Sequence, residues 1–94
     1  MAEIYIDCER YRNAARLLRE LSGETEAART RLISAAGFVG DAWQGASAGA
    51  FLETNEWTAK DLERLRVETE DLASDIDAAA AAFEETEHRL KGAL

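Results

Sequence analysis

Proline is absent from this 94-residue chain, and cysteine occurs once, at Cys8. Without proline, no helix interior is forced to kink or stop. One cysteine cannot close an internal disulfide, so whatever holds so short a chain together is not covalent. Cations are in the minority, with Lys+Arg 11 against Asp+Glu 19 and a net charge of -8. A phosphate backbone is bound through clustered Lys and Arg, so this balance excludes nucleic acid as a partner. An anionic bilayer repels it as well, and no run of 18 apolar residues supplies a membrane span, so the composition argues against stable membrane insertion. The first residues, Met1-Ala2-Glu3-Ile4-Tyr5-Ile6-Asp7, carry two acids and no basic n-region. That rules out a Sec signal peptide and implies either a cytosolic protein or one exported by another route.

What remains is a helix-forming composition. Hydrophobic residues make up 47% of the chain, but 19 of them are Ala. Alanine buries little surface, yet it is the best helix former and lets helices approach closely. The length allows one small domain, residues 1–94, and its core is small enough to need a partner.

Two stripes organise the chain. Tyr11, Ala14, Leu18, Leu21, Thr25, Ala28, Leu32, Ala35 and Val39 alternate steps of three and four, and none is charged. Phe51, Asn55, Thr58, Leu62, Leu65, Thr69, Leu72, Ile76, Ala79, Phe83, Thr86 and Leu90 repeat the pattern on a second segment. Both are 3.5-residue repeats, the mark of helices packed along a seam. Helix one is therefore expected over about 8–39 with Asp7 as its N-cap, and helix two over about 47–90. A tail follows at 91–94. Four of the 6 glycines fall within 37–49, which places the reversal at about 40–46, with Ser47 or Asp41 as a cap for helix two. A short connection between two long helices makes them antiparallel. The expected fold is all-α, a helix-turn-helix hairpin that dimerises into a four-helix bundle. Leu18, Leu21, Leu32, Leu62, Leu65, Leu72 and Ile76 are its core or dimer seam.

Folding the chain back near residue 43 pairs positions whose numbers sum to about 86. Phe83 then faces residue 3, and helix two from about Ala82 onward overhangs its partner. The charge is lopsided too. Residues 46–94 hold 12 acids and 5 bases, whereas residues 1–45 hold 7 acids and 6 bases. Packing two such acidic helices together in a homodimer sets like charges against one another, and a more basic relative relieves this. Homodimer and heterodimer both stay open.

Chemistry beyond association is hard to find. Glu85 and His88 have the Glu-x-x-His spacing of di-iron bundles, but His88 is the sole histidine and no second inward carboxylate accompanies it. Serines 22, 34, 47 and 74 lack a local base, so no catalytic set is evident. The expectation is a non-enzyme without metal or cofactor.

Trp43-Gln44-Gly45, set between two charge-free stripes in a chain of about a hundred residues, resembles the WXG-100 (ESAT-like) family of type VII secretion substrates. The resemblance covers the whole chain and implies a protein made in the bacterial cytoplasm and secreted without a Sec signal. It implies an export signal at the end of helix two, an aromatic followed four residues later by an acid. Phe83 and Glu87 fit it, with Phe where Tyr is common, and Leu90 and Leu94 fit its longer form. It also implies a dimer, with itself or with another Trp-x-Gly protein. That dimer presents the turn of one subunit and the tail of the other to an FtsK/SpoIIIE-type ATPase. Trp43 and Gly45 carry the turn motif. Simple packing of Trp43 against the bundle, and of Phe83 and Leu90 in the seam, stays open beside these roles. An intracellular coiled-coil adaptor, or a targeting chaperone for a larger helical toxin, is the alternative function. A membrane-active helical peptide is the weakest reading, because of the net charge and the polar seam residues.

Overall fold

A computed structural model describes residues 7–93 and contains two helices, α1 over Cys8–Ala42 and α2 over Ala46–Ala93. They fold into an antiparallel hairpin 74 Å long, 20 Å broad and 15 Å thick. The all-α helix-turn-helix hairpin expected from the sequence is the fold that forms. Asp7 caps α1 as expected, its carboxylate accepting the Arg10 amide at 3.2 Å. The helices run further than the glycines suggested. Gly37 and Gly40 lie inside α1, so the whole connection is Trp43, Gln44 and Gly45. Asp41 and Ser47 fall within helices and cap nothing.

The seam differs from both sequence stripes by one residue at alternate positions. On α1 the line of contact is Ala15, Leu18, Ser22, Thr25, Arg29, Leu32, Ala36 and Val39. On α2 it is Ala48, Leu52, Asn55, Ala59, Leu62, Arg66, Thr69, Ala73, Ile76, Ala80 and Phe83. Leu18, Leu32, Leu62 and Ile76 belong to it and are half-buried, whereas Leu21, Leu65 and Leu72 are exposed beside it. The reason is the criterion that selected the stripes. Arg29 and Arg66 occupy the true seam, their aliphatic stems packed inward and their guanidinium groups reaching out to acids. A search for charge-free positions therefore steps past it.

Among the described residues the buried apolar core is Ala15, Ala48, Ala73 and Ala80, and no large side chain is fully buried. Alanines let the backbones close up, but they withdraw little apolar area from water. Buried Ser22, Thr25 and Thr69 are satisfied by carbonyls, Ser22 donating across the seam to that of Arg66 at 3.3 Å. The Asn55 amide nitrogen is buried without a partner, which costs about 1–3 kcal/mol. Taken alone, the hairpin is a weakly held fold.

Its two broad faces are unlike. On one, α2 presents Glu56, Glu63, Glu70, Asp77 and Glu84 at seven-residue intervals. Four cross-helix ion pairs run along that face: Arg12–Glu84, Arg19–Asp77 at 2.7 Å, Arg66–Glu26 at 3.6 Å and Arg29–Glu63 at 3.7 Å. The opposite face carries Ala14, Leu21, Ala28 and Ala35 on α1, and Phe51, Thr58, Leu65, Leu72 and Ala79 on α2. Every one of these is exposed and none is charged.

Candidate functional site: the turn and the tail

The turn is built by its three residues. Trp43 leaves the helix in an extended conformation, its N–H still bonded to the Val39 carbonyl at 2.8 Å. Gly45 has φ +114°, and its carbonyl accepts the Gly49 N–H at 3.1 Å, which starts α2. A Cβ at residue 45 would meet nothing within 4 Å, so the requirement for glycine is one of backbone conformation and not of space. Gly45→Ala is therefore expected to destabilise the hairpin by about 1–3 kcal/mol, read as a lower midpoint in thermal unfolding. A midpoint equal to that of the parent would show that the turn has a second conformation open to it.

Trp43 lies against Phe51, with ring centroids 6.0 Å apart and planes tilted by 48°. It is still 44% exposed, so packing and presentation coexist in this side chain. Phe38 and Trp57, at 76% and 61% exposure, add bare aromatic surface at the same end of the rod.

The tail departs from the sequence arithmetic. Arg12 grips Glu84 with two hydrogen bonds of 2.5 and 2.9 Å, and the Cys8 thiol donates to the Ala80 carbonyl at 3.7 Å. Arg12 and Glu84 sum to 96, because long side chains on both helices lean toward their own N-termini, whereas Cys8 and Ala80 sum to 88, close to the sequence value. Phe83 is consequently half-buried beside the start of α1, and the overhang begins after Glu84. From there to Ala93, α2 runs free of α1 for about 14 Å.

Phe83, Glu87 and Leu90 continue the seam line of Ile76 and Ala80 past the point where α1 begins. The stripe has simply outrun its partner helix, which leaves Glu87 exposed and Leu90 63% exposed. Leu94 lies outside the described residues. The structure brings Phe83, Glu87 and Leu90 onto one face but does not bring them to Trp43 and Gly45, which lie at the other end of the rod.

Electrostatics fix the base of the tail. The hydrogen bonds from Arg12 hold the Glu84 carboxyl below the usual glutamate range, and Arg66 does the same for Glu63. Both acids bind protons less readily folded than unfolded. Their stabilising effect is therefore complete above a pH of about 4.5 and is lost as the pH falls below it. Packing against α2 raises the pKa of the Cys8 thiol, with the Glu84 charge adding to it, which keeps Cys8 a poor nucleophile. Among the described residues no group of three or more His, Cys, Asp or Glu side chains is gathered for a metal. Nor, among them, is any helix long and apolar enough to cross a membrane.

Sequence reasoning missed the cross-helix ladder and the roles of Arg12, Arg29 and Arg66. The seven-residue spacing of the five acids on α2 was the signal available for it.

The chain is similar in structure to EsxA of Geobacillus thermodenitrificans (crystal form I), with a TM-score of 0.83 and 21% sequence identity, over 92% of this chain and 96% of that one. At that identity the likeness speaks for the fold. No curated protein sequence matches significantly. The family model for proteins of 100 residues with WXG matches residues 3–88. The helical hairpin with Trp43-Gln44-Gly45 as its entire turn therefore belongs to the WXG100 family, a kind of small type VII secretion substrate.

Proposed function

We propose that this protein is a non-enzymatic substrate, or secretion partner, of a type VII system. As one half of a helical dimer it presents an export signal to the membrane-bound ATPase. The observation that carries the reading is the separation of the two motifs. Trp43 and Gly45 stand at one end of a 74 Å rod, and Phe83, Glu87 and Leu90 at the other. No single chain can offer them as one surface. A second hairpin laid antiparallel on the uncharged face brings its tail beside this turn, and this tail beside its turn.

Recognition of that composite surface has the chemistry of a helix in a groove, with Leu90 and Phe83 as apolar anchors and Glu87 as the charged contact. Such a protein leaves the bacterial cytoplasm without a Sec signal and reaches the cell surface or the medium. Expressed in a host with a type VII system, the chain is expected in the medium, and deleting the secretion ATPase is expected to retain it in the cells. Equal amounts outside with and without the ATPase would overturn the reading. Retention in both hosts, with a larger helical protein bound, would instead support the intracellular adaptor or chaperone, since the uncharged face also suits a helix of a longer chain.

A further inference from the structure

The ladder of cross-helix ion pairs stops short of the turn. Its α1 row, Arg12, Arg19 and Glu26, steps by seven, and the next position is Ile33, which is 49% exposed. Beyond the pairing of Arg29 with Glu63, Glu56 finds its cation on its own helix, Lys60 at 3.4 Å. The seam is also thin here, with Ala36 on α1 and Ala59 on α2. Together these leave a cleft of about 420 Å³ on the ladder face, walled by Leu32, Ile33 and Leu52 over a floor of the two alanines.

One group lining the cleft is unsatisfied. Asn55 is 9% exposed, and its amide nitrogen is buried without a hydrogen-bond partner. The buried hydroxyls of Ser22, Thr25 and Thr69, by contrast, each reach a carbonyl. A buried donor left open is a cost unless something supplies an acceptor. No hydrogen bond at that nitrogen has to break for the amide to turn toward the cleft.

The rim indicates which molecules suit it. Its charges are two of each sign and are paired with one another, Arg29 with Glu63 at 3.7 Å and Lys60 with Glu56. A charged ligand would give up its water and find no free counter-charge. The walls are apolar, and the one open polar group is a donor. Size points to a small molecule, since an apolar cavity of about 150 Å³ already holds benzene. A helix or extended peptide fits less well. At the side away from the turn the cleft ends against Arg29 and Glu63, which Glu26 and Arg66 tie into one network, so a long occupant would lie across charges already paired.

We propose that this cleft is a binding site for a small neutral molecule, an apolar body of one or two rings bearing a carbonyl oxygen that accepts from Asn55 Nδ2. The dimer of the proposed function uses the opposite, uncharged face, so the site stays open whether or not that dimer forms.

Acetophenone supplies this chemistry, and ethylbenzene has the same ring and chain without the oxygen. Titrated into the isotope-labelled full chain, acetophenone should shift the NMR signals of Ile33, Ala36, Leu52 and the Asn55 side-chain amide saturably, with a Kd on the order of 1 mM for so few atoms. At equal concentration below saturation, ethylbenzene should occupy the site about tenfold less, the worth of one hydrogen bond to a buried donor otherwise unpaired. Asn55→Leu should erase the difference between the two probes. Ile33→Lys, at an exposed position, should prevent binding of both and leave the unfolding midpoint unchanged. Equal occupancy by the two probes in the parent would overturn the proposal, as would shifts centred on Leu65 and Leu72. Without saturable shifts the cleft holds water only, and the proposal fails. Shifts of the same cleft signals on concentrating the chain alone would show that another copy fills the cleft, and would overturn it too. None of these outcomes bears on the export reading, which is measured by secretion.

Discussion

Ala80→Leu is expected to lower the unfolding midpoint of the isolated hairpin on the order of 5–20 °C, whereas Ala79→Leu leaves it nearly unchanged. The two alanines are neighbours in a run of five, and nothing in their local sequence separates them. In the fold they are opposites. Ala80 is wholly buried where α2 touches the start of α1, with the Cys8 thiol bonded to its carbonyl. Ala79 faces solvent on the uncharged face. Three more carbons at residue 80 must push the backbones apart, and overpacking of this kind costs about 1–3 kcal/mol. A domain of this size loses roughly 4–8 °C per kcal/mol. At residue 79 the same carbons meet water, and surface changes stay within about 0.5 kcal/mol. Circular dichroism melts of the two variants decide between the seam of the structure and the charge-free stripe of the sequence. If Ala79→Leu proves the damaging one, the helices are rotated relative to the description above.

Glu87→Ala is expected to reduce export by about tenfold or more with no change in the unfolding midpoint, and Leu90→Ala to do the same. Both side chains are exposed on the part of α2 that has outrun α1, so neither contributes to holding the hairpin. A contact that anchors recognition is worth about 2 kcal/mol or more when truncated, which exceeds tenfold in affinity. Phe83 makes a poorer probe. It is half-buried in the seam, so Phe83→Ala lowers export and stability together. The control is Glu85→Ala, an acid two residues away on another side of the helix, paired with Arg89 at 2.6 Å. Undiminished secretion of the Glu87 and Leu90 variants would mean the signal is elsewhere. Equal losses from Glu85→Ala would mean that bulk acidity, and not a defined face, is being read.

Much of this protein is determined within single segments and is therefore open to reading from sequence. Helix is favoured residue by residue in a chain without proline and rich in alanine, and Asp7 caps α1 through its own local hydrogen bond. The reversal at Trp43-Gln44-Gly45 follows from a glycine that can take φ +114°, and the shared face of Phe83, Glu87 and Leu90 follows from helical spacing. The tertiary structure alone decided which of two adjacent stripes became the seam. Both were apolar enough, and the choice turned on close approach at Ala15, Ala73 and Ala80, together with the reach of Arg29 and Arg66 to acids far away in the chain. It also set where the overhang starts, because the pairing of Arg12 with Glu84 depends on the lean of side chains on both helices and not on the numbering of either. Propensity, capping and spacing act within one helix, whereas the seam, the ion-pair ladder and the bare leucine face exist only once two helices have met.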